Sequence, residues 1–162
     1  MIIRPAIPDD AAEMAVLLNE IIRIGGTTAF QKEWTTGDMQ AFIRKLQTTG
    51  CIHVARDRET DMLLGYQSLE SYPDLPKTLG IIATFAKVGS TKRGIGTALF
   101  AATRQAAPAL GFTEIDATIR ADNTGGLAYY SKMGFVDHSI AKDVPLDDGT
   151  LVDRVSKRLR LD

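Results

Sequence analysis

Thiol and imidazole chemistry is scarce in this 162-residue chain, which holds one cysteine, Cys51, and two histidines, His53 and His138. A single thiol forms no internal disulfide, so the fold needs no oxidising compartment. As a nucleophile Cys51 would need a partner base, and its place at the start of a strand-like run makes it a half-buried, inert thiol. No metal site is expected. No stretch approaches the ~20 apolar residues that span a bilayer. The opening MIIRPAIPDD reaches proline and aspartate without a long apolar core, unlike a signal peptide, so a cytoplasmic setting is expected. The formal net charge of -1 lacks the basic excess of nucleic-acid binders. Neither nucleic acid nor membrane is an expected partner. Repeats, low-complexity tracts and linkers are absent too, so residues 1–162 are read as one domain. A chain of this length buries roughly 70% of the surface exposed when unfolded, enough for a core without staples.

What is present is a mixed order of strands and helices. Residues 2–4 predict a short strand. Asp9 or Asp10 is the expected N-cap of a first helix, whose Met14, Leu17, Leu18, Ile21 and Ile22 follow the i, i+3, i+4 rhythm. Gly25-Gly26 ends it. After a loop with Thr27, Thr28, Phe30 and Trp34, a second helix starts at Thr36-Gly37-Asp38. Strands follow at 51–56, 62–72 and 80–88, a helix at 95–109, a strand at 112–119 and a short helix at 123–132. Two last strands, near 136–144 and 151–160, meet at the turn Asp147-Asp148-Gly149. The order βααβββαβαββ predicts an α/β (α+β) fold, a mixed sheet with helices on its faces.

Ser90-Thr91-Lys92-Arg93-Gly94-Ile95-Gly96-Thr97 joins a predicted strand to a predicted helix. The glycines remove side chains where the backbone turns, and N–H groups at a helix start favour an anion. Lys92 and Arg93 add positive charge there. A G-x-G-x-x-G fingerprint would need glycine at 99, where Leu99 stands, and no P-loop run occurs. By itself the segment reads either as a pyrophosphate cradle or as a tight strand-to-helix turn. Downstream, Asn123 and Tyr130 are seven residues apart, two turns along one helix face, in the run Asn123-Thr124-Gly125-Gly126-Leu127-Ala128-Tyr129-Tyr130-Ser131-Lys132-Met133-Gly134-Phe135.

Together these two segments resemble the GNAT family of N-acetyltransferases. Thr91 to Gly96 is similar to its R/Q-x-x-G-x-G/A loop, with Thr91 departing from Arg or Gln. Asn123 to Phe135 is similar to its N-x-x-A-x-x-x-Y-x-x-x-G-F pattern, with Gly126 in place of alanine. The resemblance covers essentially the whole chain and implies a twisted, mostly antiparallel sheet of about seven strands with four helices. It implies acetyl-CoA as co-substrate, with pyrophosphate on Lys92, Arg93, Gly94, Ile95, Gly96 and Thr97. Backbone groups of Thr84, Phe85 and Ala86, and the side chain of Asn123, would hold the pantetheine arm. Tyr130 would be the general acid, since a phenol with pKa near ~10 keeps its proton at pH 7 and can give it to the departing thiolate. The neighbouring Tyr129 is an alternative for that place, and packing on Phe135 is an alternative role for Tyr130.

Family members often carry a glutamate on the strand before the loop, but Gly80 to Val88 holds no carboxylate. Glu70, on the preceding strand, is the candidate base through a water, with Glu33 and His53 behind it. Leu18 to Ile22 and Gly26 to Phe30 are similar to the phosphinothricin and methionine sulfoximine acetyltransferase branch. That implies an amino-acid-like amine as acceptor, lined by Thr27, Thr28, Phe30 and Trp34, and a homodimer. An acyl-CoA sensor without turnover, or an interaction domain sharing only the fold, are the competing classes.

Overall fold

In the computed structural model, residues 1–90 and 93–162 are described. Seven strands form one sheet in the order β1-β2-β3-β4-β5-β7-β6. Their ranges are β1 Ile2–Pro5, β2 Gly50–Arg56, β3 Leu63–Glu70, β4 Leu79–Ala86, β5 Glu114–Arg120, β6 Val136–Pro145 and β7 Leu151–Arg160. The helices are α1 Ala11–Ile24, α2 Thr36–Thr49, α3 Ile95–Ala106 and α4 Thr124–Lys132. All neighbours pair antiparallel except β4 and β5, which are parallel. The expected order and fold class are therefore observed.

Alternation in the strands sorts the core into two sides. Val54 and Tyr66 face α1 and α2 with Met14, Leu18, Met39, Ile43 and Leu46. Leu69, Ile82, Ile115, Ala117 and Ile119 face the other way, with Phe100 of α3 and Tyr130 of α4. β3 lies between both layers and is buried along nearly its whole length.

Three local expectations are corrected. Asp10 occupies the cap position of α1 but its carboxylate caps no helix N–H. It accepts instead from Ile7 N, Arg4 and Arg56, at 2.7–2.9 Å. The helix expected over 95–109 ends at Ala106, because Pro108 has no N–H to continue the ladder and restarts the chain as a 3₁₀ turn. The strand expected over 62–72 stops at Glu70, before the loop that carries Pro73 and Pro76. The Asp147-Asp148-Gly149 turn forms as expected, with Gly149 at φ 87°.

Candidate active site

The parallel ladder between β4 and β5 covers only Leu79–Ile81 against Glu114–Asp116. β4 nonetheless runs on to Ala86 and β5 to Arg120. Beyond Ile81 the two strands part, and β4 turns an unpaired backbone edge toward the gap while its other edge stays bonded to β3. Thr84, Phe85 and Ala86 all lie on this parted segment. Unpaired backbone groups in a cleft need partners, and an extended amide-bearing chain would supply them.

At the mouth of the cleft α3 begins. Gly94 is its N-cap at φ 80°, a left-handed conformation that glycine adopts freely, and no side chain caps the helix. The first-turn N–H groups around Ile95, Gly96 and Thr97 are thus available to an anion. Arg93 is exposed beside them, while Ile95 turns its side chain into a small core with Ala55, Leu64 and Leu99. The expectations for Thr91 and Lys92 fall outside the described residues. Gly96 has a second reason to be glycine: a Cβ there would stand 2.6 Å from Cε1 of Tyr129.

Tyr129 and Tyr130 occupy adjacent places with different partners. The Tyr129 hydroxyl donates to the Gly96 carbonyl at 2.8 Å and accepts from Gln67 Nε2 at 3.1 Å. The Tyr130 hydroxyl is 2.8 Å from Thr84 Oγ1, and Thr84 Oγ1 in turn accepts from Gln67 Nε2 at 2.8 Å. The two rings meet edge to face at 4.8 Å, and Tyr130 packs on Phe135 at 5.2 Å. Burial raises the pKa of both phenols, the effect being only partly offset by hydrogen bonds to Gln67 and Thr84 for Tyr129 and to Thr84 for Tyr130. Tyr130 therefore keeps its proton across the whole neutral range. Sequence reasoning missed Gln67; its one signal was an amide inside the apolar run LLGYQSLE.

Asn123 caps α4, its Oδ1 accepting from Gly126 N at 2.9 Å, while its Nδ2 donates to the Thr27 carbonyl at 3.1 Å. Gly126 makes that possible, since a Cβ there would meet Asn123 Nδ2 at 2.6 Å. Arg120 donates to the Thr28 carbonyl at 3.1 Å. The α1–α2 loop is thus clamped over the ends of β4 and β5. There Phe30 stacks on Phe85 at 6.4 Å and meets Trp34 at 5.5 Å. Thr27, Thr28, Phe30 and Trp34 gather on the α1–α2 side of the cleft, and Tyr130 lies on the α3–α4 side.

The candidate bases are not gathered there. Glu70 pairs with Lys45 of α2 at 3.3 Å. Its register partner on β4 is Ile81, three residues before Thr84, or roughly 10 Å along the strand. Glu33 pairs with Arg23 at 2.9 Å on the surface. His53 stands directly across from Gln67 beneath α3, and burial lowers its pKa, so it is neutral at pH 7. Cys51 is a free thiol whose pKa burial pushes up to about 11. Among the described residues no group of three potential metal ligands occurs, and no helix is long and apolar enough to cross a membrane.

Comparison with known proteins follows the same lines. The acetyltransferase (GNAT) family profile matches residues 20–135. Among solved structures, a Salmonella typhimurium protein determined with its cofactor acetyl-CoA superposes with TM-score 0.90 at 18% identity, over 100% of this chain and 94% of that one. A ribosomal-protein-alanine N-acetyltransferase from Brucella melitensis gives 0.90 at 18%, over 99% and 100%. A phosphinothricin acetyltransferase from Sinorhizobium meliloti in complex with acetyl-CoA gives 0.89 at 20%, over 99% and 88%. No curated protein sequence matches the chain.

Proposed function

The chain belongs to the acetyltransferase (GNAT) family, and from that premise we propose that it moves acetyl from acetyl-CoA to the amine of a small, amino-acid-like molecule by direct attack in a ternary complex. The observation that carries this reading is the parting of β4 and β5 beside Tyr130. The cleft fits the co-substrate: an unpaired strand edge for the amides of the arm, and an uncapped helix start with Arg93 for the pyrophosphate. Asn123, tied to the Thr27 carbonyl, stands between the arm and the acceptor loop.

In the proposed step the neutral amine attacks the thioester carbonyl and a C–N bond forms. Backbone N–H groups of the parted β4 edge stabilise the developing oxyanion. The C–S bond breaks, the sulfur takes the Tyr130 proton, the new amide nitrogen sheds one to solvent, and Tyr130 regains one. The sum is acetyl-CoA plus amine giving N-acetyl amine plus free CoA. No carboxylate stands on β4, so water takes the nitrogen proton. The high pKa of Cys51 speaks against an acetyl-cysteine route.

An amino-acid-like acceptor draws support from Arg154. It stands on β7 directly across from Arg120 of β5, and its Nε is enclosed without a hydrogen-bond partner among the described residues. Nearby carboxylates are engaged elsewhere: Asp116 by Arg158, Asp122 by Arg120, Asp153 by Lys142. An arginine fork suits a carboxylate. A homodimer draws support from β6, an edge strand of ten residues, nearly all exposed, with Val136 and Ile140 among them.

The test is thiol release from acetyl-CoA with paired amines, such as methionine sulfoximine and methionine against their carboxamides, run on wild type and Arg154→Gln. Release with the carboxylates, weakened in Arg154→Gln, supports the reading. Equal rates with the amides remove the amino-acid-like acceptor, and no release with any amine, together with tight acetyl-CoA binding, favours a sensor.

A further inference from the structure

The segment between α1 and α2 crosses one end of the sheet as a strap, tied at several points. Phe30 stacks on Phe85 at the end of β4. Arg120, the last residue of β5, donates to the Thr28 carbonyl at 3.1 Å, and Asn123 just beyond it donates to the Thr27 carbonyl at 3.1 Å. At the far side the Asp147 N–H, in the turn between β6 and β7, donates to Gln31 Oε1. All these points lie where β4, β5 and β6 finish and β7 begins. Leu146, next to the last tie, is the only buried residue between Val136 and Thr150. The tip of the hairpin is therefore docked while the rest of β6 stands free.

Beneath the strap lies the face on which the acceptor has to sit. α1 and α2 pack on β2, β3 and β4, and Ile115, Ala117 and Ile119 of β5 face the opposite layer. Thr118 and Arg120, with Ser156 and Arg154 across from them on β7, therefore face the α1–α2 side. Ile81 and Asp116 are the last register pair of β4 and β5. Thr84 is three residues beyond Ile81, and Arg120, level with Arg154, is four beyond Asp116. Arg154 thus stands about one residue step, ~3.3 Å, nearer the strap than Thr84 does. An amino acid whose amine meets the thioester beside Thr84, and whose carboxylate meets Arg154, points its carboxyl end at the strap.

Building on the reading above, we infer that the clasp between Gln31 and Asp147 closes the carboxyl end of the acceptor site, so that free amino acids are acetylated and the N-terminus of a polypeptide is shut out. A peptide bond in place of the carboxylate would carry the chain on toward the strap. Each further residue needs roughly 3.3 Å of extended length, and the strap would have to lift to give it. Arg120 and Asn123 hold the near part of the strap, whereas one side chain, Gln31, holds the far part to the hairpin. Gln31 touches no reacting atom; it sets how long an acceptor the site admits.

The test is thiol release with methionine, methioninamide and methionylglycine, on wild type, Gln31→Ala and Gln31→Glu. Methioninamide is the size control, because it loses the carboxylate without adding chain. Wild type should favour methionine and use methionylglycine least. Gln31→Ala should raise kcat/KM for methionylglycine tenfold or more and leave methionine and methioninamide within twofold. Gln31→Glu still accepts from the Asp147 N–H and should behave as wild type. A dipeptide rate that Gln31→Ala does not move, or wild type using methionylglycine as well as methionine, overturns this inference and leaves the acetyl-transfer reading standing. Asp147→Pro removes the same bond from the other side. Proline lacks the N–H and suits the second position of the turn closed by Gly149 N on the Leu146 carbonyl. It should match Gln31→Ala, and an unchanged dipeptide rate there counts against the clasp. Hydrogen exchange at the Asp147 amide needs no activity: protection in wild type and Gln31→Glu, lost in Gln31→Ala, is expected, and fast exchange in wild type overturns the clasp. No release from any of the three acceptors brings down the acceptor reading above and this inference with it.

Discussion

Two enclosed polar clusters in this protein are built from opposite materials. One joins β1, β2 and the start of α1, where the Asp10 carboxylate takes bonds from Arg4, Arg56 and the Ile7 N–H, and Glu13 shares Arg56. The other lies between β3, β4, α3 and α4, where Gln67, Thr84, Tyr129 and Tyr130 meet. The first is ionic and tightly paired. The second is neutral, and its hydroxyls keep capacity to spare at the inner end of the β4–β5 gap. A buried ion pair is costly to break because its survivor is stranded, which suits a joint. A neutral hydroxyl network can give up a proton and recover it at little cost, which suits chemistry. The difference predicts that damage to the two clusters separates cleanly into stability and rate.

The largest expected effect is on the ionic joint. Asp10→Ala removes the buried carboxylate that Arg4 and Arg56 share, leaving Arg56 to Glu13 and the Asp61 carbonyl, and should destabilise the fold by about 2 kcal/mol, read by urea unfolding, while kcat at 25 °C holds. A matching fall in kcat in the folded population would collapse the distinction. Next, Tyr130→Phe should slow acetyl transfer tenfold or more, about 1.4 kcal/mol of barrier, and shift the unfolding midpoint little. A stability loss without a rate loss would make Tyr130 a packing residue. Gly96→Ala should push the Tyr129 ring off the Gly96 carbonyl, with an expected effect of roughly 1 kcal/mol on the KM for acetyl-CoA, checked by initial rates.

Acidity sharpens the contrast more gently. Burial by itself would raise the Asp10 pKa, but bonds from Arg4, the Ile7 N–H and Arg56 prevail and hold it at about 2. A carboxyl lowered on folding stabilises the native state above its unfolded pKa of ~3.9 and loses that contribution as pH falls toward 2. Unfolding followed between pH 5 and 2 should show this slope, and Asp10→Asn should flatten part of it. At the other end of the scale, burial keeps Tyr130 protonated, so no loss of kcat from its ionisation should appear below pH 10. The smallest effect concerns Cys51, which should alkylate slowly at pH 7 because its thiol pKa is about 11 and speed up only on unfolding.

The order of elements was legible because each strand and helix carries its own period and its own punctuation: Gly25-Gly26 after α1, Thr36-Gly37-Asp38 at the start of α2, and Gly149 in the last hairpin. The two glycine-bearing motifs were legible for the same reason, since Gly94 answers to a backbone angle. Partners across the fold were not legible. Asp10 read as a local cap, while the groups that claim it include Arg56, 46 positions away. Glu70 read as a base because its strand face was right, but Lys45 of α2 holds it level with Ile81, before β4 parts from β5.

The sequence by itself determined the periodicity, the turns and the residue types at the helix start, which depend on neighbours a few positions apart. Only the tertiary structure decided that β4 parts from β5 at Ile81, that Gln67 faces Tyr129 across 62 positions, and that Asn123 holds Thr27 across 96. These depend on strand register and on the layer each helix occupies, and a register is fixed only when the whole core closes around it.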